Sequence, residues 1–265
     1  MLGIQRFPAG LEGLRAVVRA HLLRAPFENV SKLLLIAREG HGRFFSLSEY
    51  LEGIEKRDLG GTCYSANPYL ASLLRALGYE TDLLGADMGT RQDTHTCLRV
   101  RLDSVPYHVD VGYGGPFRDP IRLDRLPFEL VEGAQRYVLE SRGDAQEMAV
   151  FSGEQRVHGY IVHDPPRPLE FFSGSMRNSF APTATFLNCL RICRFFEDHS
   201  VMLLDRTLSI HRGATTTKAE LSRPAAWEAA FTTHLHMPRC PFRAAIQVLE
   251  QITGKAFFEA QAAQA

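Results

Sequence analysis

Residues 94–115 read THTCLRVRLDSVPYHVDVGYGG. LRVRL alternates apolar and polar side chains, as a half-buried antiparallel strand does, and YHVDV makes a second strand after a short polar break. The stretch Asp103-Ser104-Val105-Pro106 supplies that break as a hairpin turn. Folding one strand onto the other brings the start of the first beside the end of the second. His95 and Asp110 then become neighbours, giving an imidazole oriented by a carboxylate, which is the pairing of general-base catalysis. Such a pair is also an ordinary strand-end hydrogen bond, so the chemistry needs a third group. His108 is a rival base on the same face as Asp110, but it stands at the strand's middle rather than its end.

The third group lies upstream. Residues 60–67 read GGTCYSAN. The glycine pair lets the chain turn sharply and lets a substrate approach. The helical stretch that follows, NPYLASLLRALGY, puts Cys63 beside a helix N-terminus, where backbone N–H groups favour negative charge. Asn67 is expected to cap that helix, with Pro68 at its first position and Gly78 at its end. On that reading Cys63 sits in the loop just before the helix. A thiol beside an imidazole held by a carboxylate is a nucleophile with its base and its orienting group. A buried, inert cysteine is the competing reading of Cys63 taken alone.

Further outward the pattern is helix, then strand, then helix. LEGLRAVVRAHLLRA places Leu11, Leu14, Val18 and Leu22 close to one face, and Pro26 stops that helix. FSLSEYLEGIEKR is a second helix capped by Ser46 or Ser48. From about residue 80 the texture is strand: YETDLLGADM, the hairpin above, RYVLES, EMAVFSG, RVHGYIVH and VMLLDRTLSIHRG, which together suggest a small antiparallel barrel or curved sheet. Residues 218–265 return to helix, with AAWEAAFTTHL and FRAAIQVLEQITGKAFFEAQ, and the AQAAQA tail is expected to fray.

The 265 residues carry 30 basic and 30 acidic side chains, which argues against a nucleic-acid binder relying on bulk charge. No apolar run has the length of a membrane span, and MLGIQRFPAG lacks the order of a secretory signal, so a cytoplasmic protein is expected. Five cysteines, an odd number, argue against a disulfide framework. Cys63, His95, Cys97 and His108 lack the paired spacing of a zinc site, and Cys189 and Cys193 have no second pair near them, so no metal is expected.

Several segments, in order, resemble the arylamine N-acetyltransferase family. APFENV at 25–30 resembles its Pro-Phe-Glu-Asn segment, and GGTCYSAN its Arg-Gly-Gly-x-Cys-x-Glu-x-Asn motif. ALGY at 76–79 and THTCLRV follow in place. HVDVGYGG at 108–115 resembles Val-Asp-Val-Gly-Phe-Gly, with DPIRL after it. The match is good over roughly residues 11–125. The resemblance implies an α+β fold with a papain-like Cys-His-Asp core: a helical domain over 1–82, an antiparallel β-barrel over 83–190 and an α/β lid over 191–265. It implies Cys63, His95 and Asp110 as the catalytic triad of a ping-pong acyl transfer. The donor would be acetyl-coenzyme A or another acyl thioester, and the acceptor an arylamine-type nitrogen. Phe27, Tyr113, Thr94 and Gly112 would line the substrate pocket, and no tightly held cofactor is implied.

Two positions depart from the motif. Leu59 stands where the family has arginine, and Ser65 where it has glutamate or glutamine. That arginine would pair with the residue matched by Glu28, so either Arg57 reaches in or Glu28 is wetter or protonated. A divergent member follows, and three other functions compete with arylamine acetylation. One is an amide synthase of secondary metabolism taking its acyl chain from an acyl carrier protein, with arginines of RPLE and SMRN offering a basic patch. The others are a catalytically silent homologue and a cysteine hydrolase or transglutaminase-like enzyme.

Overall fold

A computed structural model of the chain describes residue 3 and residues 10–258. The chain begins with helix α1 (Gly10–Arg24), a two-residue strand β1 (Phe27–Glu28), and helices α2 (Val30–Glu39), α3 (Leu47–Arg57) and α4 (Cys63–Ala76). Leu14, Val18 and Leu22 of α1 are buried at helical spacing, as the periodicity requires. Ser46, not Ser48, caps α3: its hydroxyl accepts from the Glu49 N–H, and Glu49 accepts in return from the Ser46 N–H at 2.8 Å. Helix α2 was absent from the sequence reading. Its LLLI run is continuous rather than periodic and so carries neither helical nor strand spacing.

Helix α4 differs from expectation at its start. Thr62 is the N-cap, Cys63 is the first helical residue, and Pro68 lies inside the helix. Asn67 does not cap because its side chain is committed elsewhere: it donates to the Thr96 carbonyl and the Asp110 carboxylate and accepts from the Val111 N–H. Tertiary hydrogen bonds therefore set the helix boundary, against the local preference of Asn-Pro.

Strands β2 (Glu80–Met88), β3 (Arg91–Leu102), β4 (Val105–Val109), β5 (Ile121–Arg122), β6 (Phe128–Glu132), β7 (Gln135–Arg142), β8 (Ala145–Ser152) and β9 (Gln155–His163) make one antiparallel sheet in the order β5-β4-β3-β2-β9-β8-β7-β6. This is the barrel, and Leu84, Cys97, Leu139, Met148 and Val162 fill its interior. Asp103 and Ser104 both have positive φ between the paired Leu102 and Val105, the two-residue turn whose twist suits a hairpin.

After the short helix α5 (Ser173–Asn178), strands β10 (Arg191–Phe195), β11 (His199–Leu204), β12 (Thr207–Arg212) and β13 (Thr215–Glu220) form a second sheet. Its order, β1-β10-β11-β12-β13, brings β1 from the chain's start beside β10. Residues 218–220 of this last strand were expected to be helix. Their side chains are mostly exposed, so no apolar alternation marks the strand, and pairing with β12 alone makes it one. Helix α6 (Pro224–Ala229), a π-helical turn over 230–234 and helix α7 (Phe242–Thr253) cover this sheet around the buried Trp227. Helix α7 ends at Thr253 because Gly254 takes the left-handed conformation, short of the expected extent. The AQAAQA tail lies outside the described residues.

Candidate active site

Cys63, His95 and Asp110 come from three separate elements. The N-terminus of α4 supplies the thiol, the first half of β3 the imidazole, and the residue just after β4 the carboxylate. Leu98 pairs with Val109, so continuing the ladder sets His95 near Gly112 and Asp110 beside it. His95 Nε2 lies 2.8 Å from Asp110 Oδ2. With Nε2 committed to the carboxylate, Nδ1 is the nitrogen left for the Cys63 thiol. Both side chains are almost wholly buried, and Cys63 is 8% exposed.

Gly112 permits this approach. A Cβ there would sit 2.6 Å from the Cys63 Cα and 2.7 Å from Asn67 Nδ2, so only glycine lets the loop after β4 lie against the start of α4. The Thr96 hydroxyl donates to the Cys63 carbonyl at 3.0 Å, a second tie between β3 and α4.

Asp110 is fully satisfied. Oδ1 accepts from Asn67 Nδ2 and the Gly112 N–H, each at 2.9 Å; Oδ2 accepts from His95 and from the Tyr160 hydroxyl, each at 2.8 Å. Burial favours the neutral acid, but the His95 charge and these donors outweigh it and hold the carboxyl below its usual range. For His95 burial opposes the imidazolium, while Asp110 and then Cys63 more than compensate and raise the ring to about 10. His108, the rival base, does not line the cavity that holds Cys63. Its Nε2 lies 2.9 Å from the Tyr160 oxygen, and burial pushes it down to about 4, so it is neutral. The hydroxyl proton of Tyr160 goes to Asp110, so His108 must donate to Tyr160. The His95 ring is further held by Tyr160 and Tyr113, with centroids 4.6 and 5.6 Å away.

Tyr160 and Asn67 are the supporting residues that sequence reasoning missed. Asn67 had a signal, since it is four residues after Cys63 on one helix and shares its face. Tyr160 had none, because its strand pairs with β3 only through β2.

Cys63 and His95 open into a cavity of about 530 Å³, whose lining also includes Phe27, Thr94, Gly112 and Tyr113. Phe27 packs edge-on against Phe186, which also lines the cavity, with centroids 5.6 Å apart. Among the described residues no group of three His, Cys, Asp or Glu side chains could hold a metal, and no helix is long and apolar enough to cross a membrane.

Glu28 answers the departure at Leu59 in its own way. It is 0% exposed, and its carboxylate accepts from the Gly60, Gly61 and Ser31 N–H groups at 3.1, 2.6 and 2.8 Å. Arg57 does not pair with it; it lines a separate cavity of about 40 Å³ together with Ser31, Leu59 and Ser65. Glu28 is therefore not wetter. Burial pushes its carboxyl up, against the pull of the backbone donors. It ties β1 to the loop that presents Cys63. Glu28→Ala strips three buried N–H groups of their acceptor and is expected to cost about 2–3 kcal/mol, read as a lowered urea midpoint. An unchanged midpoint would mean that the loop holds itself.

A family model described as N-acetyltransferase matches residues 10–238. An arylamine N-acetyltransferase of Mycolicibacterium smegmatis is 31% identical over 215 residues, covering 77% of this chain and 76% of that protein. Among solved structures, M. smegmatis arylamine N-acetyltransferase superposes with a TM-score of 0.73 at 28% identity, covering 89% of each chain. The Mycobacterium marinum enzyme in complex with CoA shares the fold, with a TM-score of 0.79 at 24% identity over 95% of this chain and 96% of that one. The ordered motifs, the fold and these matches agree, and the chain belongs to the arylamine N-acetyltransferase family.

Proposed function

We propose that the chain transfers an acyl group from a coenzyme A thioester to an arylamine-type nitrogen through an acyl-Cys63 intermediate. The observation that carries this reading is the Cys63–His95–Asp110 arrangement at the wall of a cavity large enough for a small aromatic substrate. In the first half-reaction the Cys63 sulfur attacks the thioester carbonyl, its proton already held by His95, which Asp110 and Cys63 keep charged. A bond to Cys63 forms, the bond to the coenzyme A sulfur breaks, and His95 returns the proton to the leaving thiolate. In the second, the amine nitrogen attacks the acyl-Cys63 carbonyl. The amide bond forms, the Cys63 sulfur leaves, and the amine's proton reaches it by way of His95. Asp110 holds the ring in the tautomer that both steps need. Phe27 and Tyr113 would face the aromatic acceptor, with Thr94 beside them and Gly112 leaving room at the sulfur.

Family membership supports the donor class, as does the relative of the same fold solved with CoA. The carrier-protein alternative gains nothing comparable: Arg167 of its basic patch stacks over the Phe171 ring, 4.4 Å from the centroid.

The test is intact-protein mass spectrometry after incubation with acyl-coenzyme A thioesters and no acceptor. A gain of one acyl group, absent in Cys63→Ala, is expected; no gain with any thioester would overturn the reading. Tyr160→Phe removes one of the four donors on Asp110 and should lower kcat/KM about 10-fold. A change within twofold would mean that the other three donors hold the carboxylate.

A further inference from the structure

Three cations, Lys32, Arg91 and Arg191, line the cavity that holds Cys63, and among the described residues no aspartate or glutamate lines it. Elsewhere Arg118 pairs with Glu132, and Arg99 with Asp82 and Asp164, while the buried Arg194 donates to the Leu23 carbonyl and stacks over Phe196. Lys32, the third residue of α2, is the most unusual of the three. It is 4% exposed, and lysine is almost never so buried without a paired charge. Its ammonium donates to the Ser179 hydroxyl at 2.7 Å and lies 4.1 Å from the centroid of the Phe180 ring, and no described carboxylate is within ion-pair distance. Burial pushes it down to about 8 while the charge on Cys63 acts the other way, so it remains a cation at neutral pH. Arg191, at the start of β10, is likewise without a carboxylate partner among the described residues.

An ammonium buried in this cavity with no carboxylate partner costs free energy that packing does not return. Methionine would fill the same space at no such cost. The charge is accounted for if an anion arrives with the substrate. The phosphates of coenzyme A do not serve, because the whole pantetheine arm separates them from a thioester placed at Cys63.

We propose that Lys32, with Arg191 in the same cavity, receives a carboxylate carried by the substrate. Two sources share this chemistry. The carboxylate sits on the acyl group, as in the monothioester of a dicarboxylic acid, or on the aromatic ring of the acceptor, as in an aminobenzoate. The proposal rests on the acyl-transfer reading above.

The experiment compares wild type with Lys32→Met and with Lys32→Gln, which keeps a donor for Ser179. The donor arm measures the rate of Cys63 acylation by succinyl-coenzyme A against acetyl-coenzyme A. The acceptor arm measures kcat/KM for 4-aminobenzoate against aniline. In one arm the preference for the charged substrate is expected to fall about 30-fold in both variants, and that arm identifies the source. If Lys32 only packs against Phe180, or only sets the field at the sulfur, all substrates slow alike and both ratios stay fixed, which overturns the proposal while leaving acyl transfer intact. Wild-type protein that no thioester acylates overturns both readings and is recognised by the absent mass gain.

Discussion

Cys63→Ala is expected to abolish turnover, with a loss of about 10⁴-fold or more in kcat. The fold should survive, because alanine fits the first position of α4 and Cys63 makes its structural ties through its backbone. The change in stability should stay below about 1 kcal/mol. No other thiol is placed to take over. Cys97 is 0% exposed inside the barrel, and burial raises it well above its usual range. Cys193 is 1% exposed beside Gly114, and Cys189 hydrogen-bonds the Thr185 carbonyl. Steady-state acetylation of an arylamine, with a urea melt alongside, is the measurement. Residual activity above a few per cent in a folded variant would remove Cys63 from its role.

Asp110→Asn is expected to lower kcat/KM about 10³- to 10⁴-fold through the tautomer of His95. The hydrogen-bond network dictates which way the new amide must point. At Oδ1 the donors are Asn67 Nδ2 and the Gly112 N–H. Neither can reverse, because Asn67 is pinned by the Thr96 carbonyl and the Val111 N–H. The NH₂ must therefore replace Oδ2 and face His95 Nε2 and the Tyr160 oxygen. Tyr160 can turn its proton toward His108, which changes tautomer to accept it. His95 Nε2 must become an acceptor, which moves the ring proton to Nδ1, on the side of Cys63. The base then cannot take the thiol proton. The rearranged network should cost about 1–2 kcal/mol of stability, so the fold persists. Rates within tenfold of wild type would show that another group orients His95.

Much of this site is legible in the sequence because it depends on local rules. The alternation of LRVRL and YHVDV and the two-residue turn between them place His95 beside Asp110 without reference to the rest of the chain. The glycine pair and the helical period downstream place Cys63 at a helix start. The error in that region was of the same kind: Asn-Pro has a strong local preference for a helix N-terminus, and it lost to three hydrogen bonds that Asn67 meets only in the folded molecule.

What the sequence by itself determined was the order of helix, barrel and C-terminal unit, the three candidate residues Cys63, His95 and Asp110, and the family. Each follows from spacing within one element or across one turn, where chain geometry leaves little choice. Only the tertiary structure decided that β1 pairs with β10, that β13 is a strand, that Glu28 is satisfied by backbone instead of arginine, and that Tyr160 steadies Asp110 from 50 residues away. It also decided that Lys32 is buried in the cavity of Cys63 without a carboxylate partner. Periodicity states which face of an element is apolar, but not which distant face it meets. The partners of a buried polar group are set by that meeting, when burial removes water and each donor must find an acceptor among the groups brought close to it.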